Sequence, residues 1–349
     1  MTASLPNTPP MTPSTLNRPP LIQVLSSARV VALPLRTSFR GLTEREALLF
    51  EGPNGWAEWS PFVEYSDQEA AVWLAAALEF AYGDATPILR DRIPVNATLP
   101  AVSAGQVTKV LSRFGDFQTV KIKVAGGRLE DDFARILATQ EAYPKVKIRL
   151  DANGGFDVPT ALTVSKFMVD HEFNLDYFEQ PVATVPELAE LKSVLASQGI
   201  GASDAGGVRV AADESVRKAE DPLAVAKAGA ADILVLKAAP LGGVATALHI
   251  AEQAGLPVVV SSALDTSVGL SMGAHLAAAL PHLEYDCGLA TGALLAGDVS
   301  KETLLPKDGF IDVRRVEVDE AKLDLFEAED HRIDWWIERL DRAYALLVH

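Results

Sequence analysis

Two apolar rhythms divide this chain. From about residue 93 onward, short β-branched runs recur at residues 93–97, 119–124, 147–151, 175–179, 208–213, 232–237, 256–262 and 285–289. Their last residues lie ~24 to 34 apart, the length of a strand plus a helix. The segments between them carry helical spacing: in 128–143, Leu129, Phe133, Ile136 and Leu137 fall on one face. Eight such units fit a (β/α)-barrel. An open doubly wound sheet is the other arrangement of such units. It usually opens with a Gly-rich phosphate loop after its first strand, and this chain has none.

The first part reads differently. Val30 to Leu33, Ala47 to Phe50 and Gly55 to Trp59 are strand-like and separated by turn residues, and Glu69 to Tyr82 is Ala-rich and helical with Gly83 as its stop. After residue 300 the alternation fades. Phe310 to Val318 predicts a strand, and Asp330 to Val348 a terminal helix burying Trp336, Leu340 and Leu347. The predicted division is therefore a disordered Pro/Thr/Ser-rich tail (1–20), an α+β capping domain (21–92), a catalytic barrel (93–300) and a C-terminal segment returning to the capping domain (301–349).

Composition narrows the partners. The 349 residues carry 31 Lys and Arg against 47 Asp and Glu, a net charge of -16, which argues against nucleic acid. No run approaches ~20 apolar residues, so no membrane span is expected. The single cysteine, Cys287, allows no internal disulfide and points to the cytoplasm. Nothing in the chain decides between a monomer and a homo-oligomer.

The chemistry sits at the strand ends. Asp151, Glu179 and Asp213 each end an apolar run, in three consecutive predicted strands. One carboxylate there is commonly a helix cap; three converging without His or Cys suit a hard divalent cation, Mg2+ or Mn2+. Lys121 and Lys123, two apart, face the same way on a strand. Lys237 ends a strand across the barrel. A metal plus a lysine is a means of removing a proton beside a carboxylate, so a small-molecule carboxylate is the expected substrate.

Lys-x-Lys, then Asp, Glu and Asp, then Lys resembles the enolase superfamily, and within it the muconate-lactonizing-like subgroup. The phrases SFRGLTERE, GWAEWSPF, TVKIKVAG, RLDANGGFD, YFEQPV, AADES, DILVLKAAPLGG and SSALDTSVGL are most similar to the o-succinylbenzoate synthases of actinobacterial type. The resemblance implies an α/β fold: a modified (β/α)8-type barrel, (β/α)7β, under an α+β capping domain. It implies that Asp151, Glu179 and Asp213 bind Mg2+. Lys123 would be the base, and then the acid that protonates the departing hydroxyl on the same face. Lys237 would stabilise the enediolate as a cation, and Lys121 would tune Lys123 and bind the carboxylate. Ser262 and the loop through Gly269 would hold a succinyl arm. Ser38, Phe39 and Arg40 would close over the site, Arg40 touching substrate, while Asn153 and Glu214 would stand behind the metal ligands.

The activity implied is a hydro-lyase: syn-dehydration of 2-succinyl-6-hydroxy-2,4-cyclohexadiene-1-carboxylate to 2-succinylbenzoate, on the way to menaquinone. N-succinylamino acid racemisation with the same two lysines is the alternative. A non-catalytic barrel is disfavoured because all five strand-end charges are present.

Overall fold

A computed structural model describes residues 18–39, 41–203, 206–218 and 221–347. Strands β1 (Arg29–Phe39), β2 (Leu42–Gly52) and β3 (Gly55–Trp59) form an antiparallel sheet in the order β1-β2-β3. Gly55, at φ +100°, makes the β2–β3 turn. Helix α1 (Asp67–Tyr82) starts on a reciprocal cap between Ser66 and Glu69, and Trp59 Nε1 donates to Ala70 O at 2.9 Å.

The barrel follows. Strand β4 (Arg92–Pro94) leads into β5 (Ala97–Leu99), β6 (Thr119–Lys123), helix α2 (Leu129–Ala142), β7 (Lys147–Asp151), α3 (Val158–Asp170), β8 (Leu175–Glu179), α4 (Val185–Ser197), β9 (Val210–Ala212), β10 (Ile233–Leu236), α5 (Val244–Ala254), β11 (Val258–Val260) and α6 (Ser267–Ala279). β5 to β11 form one seven-stranded sheet, every neighbouring pair parallel. The predicted eighth strand, 285–289, shrinks to two bridges. Cys287 pairs with Val95 and Gly288 with Ser261, so this short segment links the two edges of the sheet. That is a (β/α)7β barrel.

Residue parity separates two cores. Tyr177, Ala211, Ile233, Val235 and Val259 pack together inside the barrel, with Tyr285 against them. Phe178, Val210, Ala212, Leu234 and Val260 face the surrounding helices. Both faces of these strands are buried, which is why the runs read as continuous rather than alternating.

Several expectations shift. In α2, Leu137 is 44% exposed, and Asp132, Arg135 and Thr139 are buried beside Ile136. Arg135 explains the polar face: it bonds Val102 O at 2.6 Å and Lys123 O at 2.8 Å, and pairs with Asp132, which accepts from Ala125 N. The strand expected over 310–318 is only β12 (Phe310–Asp312), and it pairs with β4. Arg315 packs on the capping helix, its guanidinium 3.4 Å from the Phe80 ring centroid. The terminal helix α7 (Asp330–Ala345) buries Trp336 against Trp59, with centroids 5.4 Å apart, and buries Leu340, while Leu347 is half-buried. Residues 1–17 of the expected tail lie outside the described residues. Arg18 packs on the Tyr344 ring and donates to Leu347 O at 2.6 Å.

Candidate active site

Each strand-end charge stands two residues beyond an inward side chain: Glu179 after Tyr177, Asp213 after Ala211, Lys237 after Val235. They therefore face the barrel axis. Register sets their height. Lys123 pairs with Asp151 across β6–β7, and Asp151 with Glu179 across β7–β8, so these three form one row. Asp213 lies one inward step further, since Glu179 pairs with Ala211.

The three carboxylates are at most 1% exposed. Lys121 Nζ lies 3.1 Å and 3.2 Å from the Glu179 oxygens and 3.3 Å from Asp151 Oδ2. Lys123 Nζ donates to Asp151 Oδ2 at 2.5 Å and to Asn153 Oδ1 at 2.9 Å. Lys237 Nζ donates to Asp213 Oδ2 at 2.5 Å, and Arg217 Nε holds the other oxygen at 3.1 Å. Asn153 Nδ2 reaches Glu214 Oε1 at 3.3 Å, which Arg217 also binds at 2.6 Å.

The backbone around these groups is specified tightly. Gln180, at φ +37°, accepts from Asp213 N and Ser215 N through Oε1, and donates to Val182 O and Ser215 Oγ through Nε2. Asn153 sits at φ +47°. Left-handed conformations of this kind cost of order 1–3 kcal/mol, and they persist where the surroundings over-determine them.

The electrostatics follow from burial. Burial opposes ionisation of Asp151, but Lys123 and Lys121 outweigh it and hold the carboxyl well below its usual range. Asp213 is likewise opposed by burial, yet Lys237 and Arg217 bring it down to about 2. Burial and then the charge on Asp151 push Glu179 up to about 7. Burial lowers the Lys121 ammonium, but Glu179 and Asp151 raise it further, so it stays charged.

These donors fit a hard divalent cation: three carboxylates supply oxygen ligands, with no thiolate or imidazole among them. In the side-chain positions of the structure, each carboxylate is turned onto a lysine. Among the described residues, no three His, Cys, Asp or Glu side chains are arranged to hold an ion. The chemistry of the set matches Mg2+ or Mn2+.

A pocket opens over this rim, lined by Lys121, Lys123, Asn153, Glu214, Lys237 and Ser262 among others. Ser262 Oγ bonds Gly288 O and Thr291 Oγ1, both at 2.8 Å. The capping domain contributes Phe39, Phe62 and Trp73, with Lys123 Nζ 5.5 Å from the Phe39 centroid. Ser38 points to solvent, and Arg40 lies outside the described residues. Sequence reasoning missed Thr98 and Arg217. Thr98 is 1% exposed, lines the pocket, pairs with Lys121 in register, and its hydroxyl has no hydrogen-bond partner among the described residues. Only the β5–β6 register reveals it. Arg217 follows Asp213 by one helical turn, a spacing readable in advance. His249 is exposed, and His275 is half-buried and bonded to Ser271 O, both away from the rim. Cys287 is a buried thiol pushed up to about 12 by burial.

Comparison with known proteins adds identity to this geometry. Residues 103–318 match the family described as enolase C-terminal domain-like, and residues 30–81 the one described as enolase N-terminal domain-like. The o-succinylbenzoate synthase of Mycobacterium tuberculosis (strain ATCC 25618 / H37Rv) is 50% identical over 332 residues, covering 95% of this chain and 97% of that one. That of Mycolicibacterium smegmatis is 50% identical over 331 residues, covering 94% and 98%. The crystal structure of muconate lactonizing enzyme from Pseudomonas fluorescens superposes with a TM-score of 0.70 at 21% identity, over 86% of this chain and 98% of that one, and so shares the fold. No helix among the described residues is long and apolar enough to cross a membrane. The chain belongs to the enolase superfamily and, within it, to the o-succinylbenzoate synthases.

Proposed function

We propose that this chain is a hydro-lyase that dehydrates 2-succinyl-6-hydroxy-2,4-cyclohexadiene-1-carboxylate to 2-succinylbenzoate, in the cytoplasm, toward menaquinone. The observation that carries the reading is the row Lys123–Asp151–Glu179, faced by the Lys237–Asp213 pair, with Lys121, Lys123 and Lys237 lining one pocket. The curated relatives at 50% identity carry the same activity in their names.

Asp151, Glu179 and Asp213 would hold the divalent cation. When bound, it supplies positive charge beside the substrate carboxylate, where negative charge develops as the neighbouring carbon loses its proton. Lys123 takes that proton. As an ammonium on the same ring face, it gives the proton to the departing hydroxyl, so one C–H and one C–O bond break, a ring double bond forms, and water leaves. Asn153 holds Lys123 Nζ in place at 2.9 Å. Lys237 supplies a cation at the opposite side of the pocket, and Lys121 remains charged beside the carboxylates. Ser262 binds the succinyl arm. Phe39, Phe62 and Trp73 exclude water.

Dehydration needs one base and one cation, whereas racemisation of N-succinylamino acids needs both lysines to move protons. The names of the relatives favour dehydration. The purified chain with Mg2+ and the cyclohexadiene substrate should show the absorbance change of aromatisation. A folded, Mg2+-loaded chain without turnover would remove the reading.

A further inference from the structure

The capping domain buries a carboxylate in the barrel. Glu58, on β3, is 4% exposed. Its Oε1 accepts from Ser60 Oγ at 2.6 Å, while Oε2 accepts from Thr266 N at 3.0 Å, Thr266 Oγ1 at 2.6 Å and Gly269 N at 3.0 Å. Those last donors belong to the start of α6, so a side chain of one domain satisfies the helix N-terminus of another. A Cβ on Gly269 would stand 2.8 Å from Glu58 Oε2 and 2.7 Å from Asp265 Cβ, so the glycine is what lets the carboxylate approach.

The loop ahead of α6 is held at every residue. Arg45 Nε, from the capping domain, donates to Leu264 O at 3.2 Å, and its Nη2 donates to Ser60 Oγ at 3.0 Å. Asp265 Oδ2 accepts from Ala263 N at 3.1 Å. Leu264 sits at φ +65°, a costly conformation for a leucine, and it is stable only if its neighbours fix it. Ser262, Ala263 and Leu264 are the part of this loop that lines the pocket.

We propose that Glu58, supported by Arg45, is a positioning residue. From the capping side it sets the 262–266 loop, and through that loop the pocket wall that receives the arm of the substrate. The inference rests on reading the chain as a synthase whose Ser262 side takes the succinyl group. Glu58 touches no reacting atom, so it governs binding and not proton transfer.

Glu58→Gln keeps the length and turns an amide onto backbone N–H groups. Putting a donor where both carboxylate oxygens accept should raise KM for the cyclohexadiene, and Kd for o-succinylbenzoate, by about tenfold or more, with kcat within about threefold. Gly269→Ala displaces the same contact from the barrel side without altering a titratable group, and should give the same split even where Glu58→Gln fails to fold. Benzoate, which lacks the arm, should bind both variants as it binds the parent. If a folded Gly269→Ala or Glu58→Gln protein loses thermal stability or kcat while KM and Kd stay unchanged, the role is structural and the proposal fails. If the parent neither turns over the diene nor binds o-succinylbenzoate, the synthase reading fails first and takes this one with it.

Discussion

Two regions of this molecule bury carboxylates, and they satisfy them in different ways. On the barrel rim, Asp151, Glu179 and Asp213 face ammonium groups on flexible side chains: Lys121, Lys123 and Lys237. At the seam with the capping domain, Glu58 and Glu79 face backbone N–H groups at the starts of α6 and α5, Glu79 Oε1 accepting from Ala245 N at 3.0 Å. Gly243 makes room for Glu79 as Gly269 does for Glu58, since a Cβ there would come within 2.0 Å of Glu79 Oε2. Removing a carboxylate from water costs several kcal/mol in either place. A lysine can rotate away and leave its partner to a metal or a substrate, whereas a helix N-terminus cannot. The rim is exchangeable and suits chemistry; the seam is fixed and suits alignment.

That contrast breaks if rim and seam substitutions behave alike. The largest expected effect is metal removal: dialysis against EDTA should abolish dehydration, and Mg2+ should restore it, with the fold unchanged by circular dichroism. Lys237→Arg should come next. It keeps a cation beside Asp213 but alters its reach, and dehydration should fall by about 10 to 100-fold in steady-state assays. At the seam, Glu79→Gln should leave kcat nearly unchanged and lower unfolding free energy by about 1.5–3 kcal/mol in urea titrations, the worth of hydrogen bonds to a charged group.

The smallest effect is a pH dependence. Burial first, and then Asp265, push Glu58 up to about 7 from an ordinary 4.5. The folded state therefore binds a proton that the unfolded state has released. The stability this gives is full below 4.5 and is lost as pH rises through about 7. Glu179 shares that window, so the parent alone does not isolate Glu58. The difference between the parent and Glu58→Gln does, and the variant should show the flatter profile, by on the order of 1 kcal/mol per pH unit.

The rim was readable because β-structure has a period of two. Lys121 and Lys123 announce a shared face, and a charge closing an apolar run announces a strand end at the barrel mouth. The barrel was readable from the spacing of its units. Thr98 was not singled out, since a threonine in a strand looks like any other strand residue until a neighbour gives its register. The seam was illegible for a deeper reason: Glu58 and Thr266 are 208 positions apart, and only domain docking brings them together. The eighth strand reduced to bridges, and Arg315 stacked on Phe80, for the same tertiary reason.

Lys123→Ala tests the central claim most directly, with dehydration rate and o-succinylbenzoate affinity measured on the same Mg2+-loaded protein. The account predicts that kcat falls by about 10²–10⁴-fold, the usual worth of a positioned acid–base group, while product affinity changes only a few-fold. A variant that dehydrates the diene within about threefold of the parent rate would contradict it.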